Sequence, residues 1–303
     1  MKKITFIFAV MVFSAGIAVI SCTKENTSST SPEITSATDA VQIDYNSTEI
    51  SGTIDDYQTL NVTSFTDPTL KAGVADIPTS TMGLNIDNCA KVTMVKTPVL
   101  TGTAVTGATL KFTIDFGTTG CIGKDGKARR GTIISTYTWV KLSGWSRESA
   151  IDLYISDVHY VGTQSLTVGV TGPNNHLLFT ENATLKVTAK DGSWKNWTST
   201  RLRELIEGNG GVNPIKIFKI TGNSTFSNSA LGSSTYTIDV PLIKRSDCKT
   251  FTSGTVIIVN KAGVTTTIDY TTVGVNCPDG YNIKTPADKN GKGGMMRFIK
   301  WAK

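Results

Sequence analysis

The chain has 303 residues, a formal net charge of +6, five cysteines and only two histidines. Its length is enough for one large sandwich, barrel or extended sheet, or for two similar lobes. A zinc site is excluded, because no two cysteines sit at the short spacing such sites use and His159 and His176 stand apart in non-motif sequence.

The first element in chain order is a targeting segment. Met1-Lys2-Lys3 is a basic start, Ile4 to Ile20 is almost unbroken apolar sequence, and Ser21 is a small residue directly before Cys22. This order predicts a bacterial lipoprotein signal peptide over 1–21. The Cys22 thiol takes a diacylglyceryl group, and cleavage makes it the mature N-terminus. A membrane-spanning helix needs roughly 20 apolar residues. This run stops at Ser21 and passes into Thr23-Lys24-Glu25-Asn26. Val19 and Ile20 also fit a simple secretory cut poorly. One acyl chain binds a bilayer marginally, so the two or three of a lipoprotein, palmitate included, make attachment stable.

Residues 22–50 read as an acidic flexible tether, with Glu25, Glu33, Asp39, Asp44 and Glu49 against Lys24 alone. The β domain expected over 51–303 then holds about +8. Its basic residues gather at Lys124, Lys127, Arg129 and Arg130, at Arg201 and Arg203, at Lys244, Arg245 and Lys249, and through Lys289, Lys292, Arg297 and Lys300. The first group is the candidate basic contact surface, for an envelope polyanion, a glycan or an outer-membrane protein. Export removes nucleic acid from the candidate partners.

Beyond the tether, Leu110, Phe112, Ile114 and Phe116 alternate with Lys111, Thr113 and Asp115, the period of two that sends alternate side chains to opposite faces of a strand. Leu185 to Ala189, Tyr236 to Val240 and Val264 to Tyr270 repeat it. Thr200 to Glu207, the best helical candidate, alternates as well and is assigned to strand. Turn dipeptides such as Asp125-Gly126, Asp191-Gly192 and Asn209-Gly210 separate the runs and suit tight hairpins. The fold class is therefore all-β, an antiparallel meander of hairpins. Thr113 to Phe116 with Cys121 and Gly131 to Ile134 echoes Thr237 to Val240 with Cys248 and Gly254 to Ile257, which suggests two lobes with a boundary near 208–214.

With Cys22 committed to lipid, Cys89, Cys121, Cys248 and Cys277 remain, an even number suited to two disulfides in an exported chain. Of the three pairings, the local one, Cys89 with Cys121 and Cys248 with Cys277, is preferred.

No catalytic set is found. A nucleophile would need His159 or His176 as its base, and neither lies in a recognisable motif. A glycosidase would need two close carboxylates, for which Asp115, Asp152, Asp157, Glu204 and Glu207 are candidates. Asn85-Ile86-Asp87-Asn88 resembles a turn more than a calcium loop. Trp194 and Trp197, three apart, point to opposite faces of a strand, so one is buried and one exposed. No cofactor is implied.

Asp115-Phe116-Gly117, Cys121, Gly123-Lys124-Asp125-Gly126-Lys127, Arg129, Gly131, Ile133 and Tyr137-Thr138, with Trp197 to Arg201 and Ile206-Glu207-Gly208, resemble a family of uncharacterised Bacteroidota lipoproteins. The resemblance runs from about Met82 to Cys277, and the tail beyond Cys277 departs from it. It implies an outer-membrane lipoprotein of β structure, periplasmic or surface-exposed, and supplies no active site. The sequence reading is a lipid-anchored, non-catalytic binding or scaffolding protein. The alternatives are a hydrolase of extracellular glycan or polymer, and a structural surface spacer.

Overall fold

Alternating apolar and polar side chains, broken by glycine turns, build one wide antiparallel sheet. The computed structural model describes residues 32–59, 73–77, 89–101, 104–123, 126–140, 144–169, 176–208, 215–229, 232–248, 250–271, 277–286, 294 and 296–300. Among the described residues one helix, α1 (Pro32–Thr59), precedes the strands β1 (Gly73–Ile77), β2 (Lys91–Thr101), β3 (Ala104–Asp115), β4 (Cys121–Ile122) and β5 (Ala128–Val140). There follow β6 (Gly144–Ile155), β7 (Val158–Gly169), β8 (Leu178–Thr188), β9 (Trp194–Glu207) and β10 (Ile217–Asn228). The last are β11 (Gly232–Arg245), β12 (Phe251–Asn260), β13 (Thr265–Asp269), β14 (Gly280–Lys284) and β15 (Met296–Lys300). Fourteen strands lie in sequence order as a meander that does not close, and β4 pairs with β5 beside that path. Every pairing is antiparallel.

Residues 32–59 are helix, where a flexible acidic tether over 22–50 is expected from composition. Pro32 starts α1 with its φ already suited to the first turn, and Glu33 places negative charge at the positive end of the helix dipole. Along 33–54 only Thr35, Gln42 and Gly52 are exposed, so the helix is enclosed rather than laid on a surface. The Ser, Thr and Asp residues that suggested a solvated linker are poor helix formers alone. They are held here by side chains of the sheet.

The sheet makes room for the helix with small side chains. One cross-strand row, fixed by register, runs Phe112, Ser135, Ser149, Gln164, Ala183, Ser199, Ser224, Tyr236, and all eight are buried. Its serines and alanine let α1 approach closely, while the next row places Ile133, Ile151, Leu185, Trp197 and Phe226 as the apolar wall beside it. Trp197 meets Tyr236 edge to face at 5.2 Å, and Phe112 meets Tyr137 at 5.6 Å.

Glycines let the strands bend around the helix. Gly131 and Gly222 have φ of +99° and +133°, and a Cβ on either would lie 2.3 Å from the Asp152 carbonyl oxygen or 2.2 Å from that of Thr200. Bends of this kind are what curl a wide sheet.

The disulfides are Cys89–Cys121 and Cys248–Cys277, the local pairing. Thr200 to Glu207 is strand, within β9. Trp197 is buried and Trp194 is 37% exposed, on opposite faces as their spacing requires. At the suggested boundary β9 pairs with β10 on either side of 209–214, and Ser31–Lys303 is one compact unit. The unit Met1–Thr30, with Cys22, lies outside the described residues, as do Lys124 and Asn85 to Asn88. No described helix is long and apolar enough to cross a membrane.

Two glycine substitutions separate these roles in urea unfolding. Gly222→Ala is expected to destabilise by about 1–3 kcal/mol through forced backbone strain. Gly52→Ala, exposed in α1 with no atom within 4 Å of the new Cβ, is expected to stabilise by roughly 0.5–1 kcal/mol.

Candidate functional site

The inner face is committed to holding the helix. Asp39 bonds Lys195 at 2.7 Å, Asp44 bonds Arg201 at 2.5 Å and accepts from the Tyr236 hydroxyl at 2.7 Å, and Glu49 bonds Lys127 at 2.6 Å and Arg129 at 2.9 Å. Asn46 donates to the Tyr160 hydroxyl at 2.5 Å, Gln164 donates to Ser47, and Arg147 donates to Ser51. Burial alone would lower the Arg201 pKa, but Asp44 and neighbouring groups hold it above its ordinary value. Burial pushes the Tyr236 hydroxyl well up, so it stays a donor to Asp44. Glu181 is pushed up by burial and pulled down more strongly by Arg203, Arg147 and Arg201, which leaves it below its usual range.

Three residues of the expected basic surface fall among the described ones, and they are divided between two faces. Lys127 and Arg129 turn inward to Glu49, whereas Arg130 lies on the outer face with its guanidinium 4.0 Å from the Tyr154 ring. Tyr154 stacks in turn on His159 at 4.0 Å, and His159 bonds Asp152 at 2.7 Å. Lys124 lies outside the described residues.

The outer face carries the candidate ligand surface. Two cross-strand rows, Ile134–Ala150–Thr163–Thr184 and Thr136–Glu148–Ser165–Asn182, line an open depression of about 450 Å³ on β5 to β8. Apart from Glu148, its outward polar groups are hydroxyls and an amide. Asn182 accepts from Thr200 at 2.9 Å, which extends the polar surface onto β9. There the upper row continues as Thr163, Thr184, Thr198, Thr225 and Thr235, five exposed threonines on five successive strands. Neighbouring strands are about 4.8 Å apart, so this is a regular array of neutral donors and acceptors.

The candidate acids are dispersed. Asp115 and Asp152 share a row on either side of Thr132, two strand spacings or about 9.6 Å apart. Asp115 accepts from the Gly117 amide and Asp152 is bonded to His159. Asp157 pairs with Lys190, and Glu204 bonds His176 at 2.8 Å. Neither imidazole is bonded to a hydroxyl or thiol among the described contacts. Asp247, Cys248 and Cys277 bring three possible metal-ligating atoms within 4.8 Å, but the two sulfurs are bonded to each other.

Compared with family models, with curated proteins and with solved structures, the chain matches none.

Two stability measurements probe the helix seat. Asp44→Ala leaves the Arg201 charge buried without its partner and is expected to destabilise by about 3–5 kcal/mol. Glu181 has a depressed folded pKa, so its contribution is complete above its unfolded pKa of about 4.3 and is lost as pH falls through the lower folded value. Glu181→Gln should therefore flatten the acid limb of stability against pH while leaving the slope above about pH 6 unchanged.

Proposed function

We propose that this chain is a lipid-anchored protein of the outer membrane with a non-catalytic binding role, and that its ligand is a neutral polar polymer such as a glycan. The observation that carries the binding half is the depression on β5 to β8, whose outward side chains are hydroxyls, an amide and a single carboxylate beside the apolar Ile134 and Ala150. Neutral hydroxyl-rich ligands exchange hydrogen bonds with such a surface without burying unpaired charge. The anchoring half rests on Lys2-Lys3, the apolar run and Ser21-Cys22. A scaffold role for the inner face is supported by its charged and amide groups that bond α1, Lys195, Arg201, Arg147 and Gln164 among them, with the outer face left for contact.

Cys22→Ser is expected to abolish palmitate labelling and to release the protein from membranes washed with high salt. A mutant still labelled and still retained after the wash would contradict the anchor. For the ligand surface, Asn182→Ala combined with Thr184→Val should lower retention on a neutral-glycan matrix at least tenfold with an unchanged unfolding midpoint. That retention should barely respond to salt, whereas binding through a basic face would fall as salt rises.

A further inference from the structure

The tail beyond Cys277 has no part in the proposed glycan surface, yet it is strongly basic. Residues 277–303 hold six basic residues against two acidic ones, together with the run Met295-Met296-Arg297-Phe298-Ile299-Lys300-Trp301. In the structure β15 is the terminal strand of the sheet. Ile299 pairs with Tyr281 and packs against the core, which fixes the strand in place. Met296, Phe298 and Lys300 share one face of the strand, with Met296 and Phe298 65% and 48% exposed and Lys300 exposed beside them, while Arg297 is exposed on the other face next to Ile299. Lys300 meets Asp279 at 3.2 Å, but both are well exposed, so that pair holds the ammonium only weakly.

Thr38 of α1 hydrogen-bonds Tyr281 on β14, the strand that pairs with β15, so this end of the sheet is held to the helix.

We infer that β15 is a membrane-contact strand: Met296 and Phe298 enter the headgroup boundary while Arg297 and Lys300 engage anionic lipid phosphates. This rests on the lipid-anchor reading for its orientation. Exposed apolar side chains bracketed by cations are the chemistry of an interfacial anchor on an anionic bilayer. A second copy of the chain is a poorer occupant, since two such edges would oppose like charges. The acyl chains already supply affinity, so this contact sets how the body meets the bilayer.

The test uses the chain from Thr23 onward, which carries neither an acyl group nor the apolar run Ile4–Ile20 to mask the contact, in co-sedimentation with phosphatidylglycerol-containing and pure phosphatidylcholine vesicles. Binding is expected to the anionic vesicles at about 50 mM NaCl and to be lost at about 500 mM. Arg297→Gln with Lys300→Gln should weaken it about 25-fold, from about fivefold per cation. Phe298→Ser should weaken it at every salt concentration, with the unfolding midpoint of each variant confirming the fold. Equal binding by the variants, no binding at low salt, or a dimer that the charge variants dissociate would each overturn the proposal. Because lipidation is read separately by palmitate labelling, failure of the anchor leaves the vesicle result interpretable.

Discussion

The structure depends on the pairing of three helix acids with the sheet that surrounds them. Asp39, Asp44 and Glu49 are five residues apart, and each step of five turns the helix by about 140°. They therefore point in three directions about the axis. Lys195 and Arg201 on β9 meet Asp39 and Asp44, and Lys127 with Arg129 at the start of β5, four strands away along the meander, meets Glu49, so the sheet must curl over the helix to hold all three. Curvature, the bend at Gly222 and the buried charges are parts of one solution.

Hydrophobic burial supplies cohesion, through Trp197, Phe226, Tyr137 and their neighbours, but it does not set the position of α1. Apolar contact is tolerant of sliding, whereas a buried carboxylate on a buried guanidinium is not. Asp44 on Arg201, reinforced by the Tyr236 hydroxyl, pins the helix register midway along its length. Gln164 on Ser47 and Arg147 on Ser51 extend that register toward its C-terminal half. The neutral serine row beneath keeps the two elements close enough for these bonds to form.

Strands were legible because alternation is a local property. Leu110 to Phe116 declared a strand, Trp194 and Trp197 declared its two faces, and the spacing of four cysteines favoured the bridges that are present. The helix was not legible, because its serines, threonines and acids look solvated until the partner residues far along the chain are known. The division of the basic residues between two faces was hidden for a related reason. Arg129 and Arg130 are adjacent, and on a strand adjacent residues face opposite sides, so one turned to Glu49 and the other to Tyr154. The depression was hidden because its walls come from four strands spread between Ile134 and Thr184, each contributing ordinary threonines or serines.

The bond from Tyr236 to Asp44 spans 192 residues of chain. The first element made is thus completed among the last, since α1 has no seat until β11 exists. Chains dominated by such distant contacts fold slowly and expose unpaired edges meanwhile. A nascent molecule interrupted before Tyr236 would leave a carboxylate and an unfilled cradle open together, a lesion that proteases and holdase chaperones could recognise in transit.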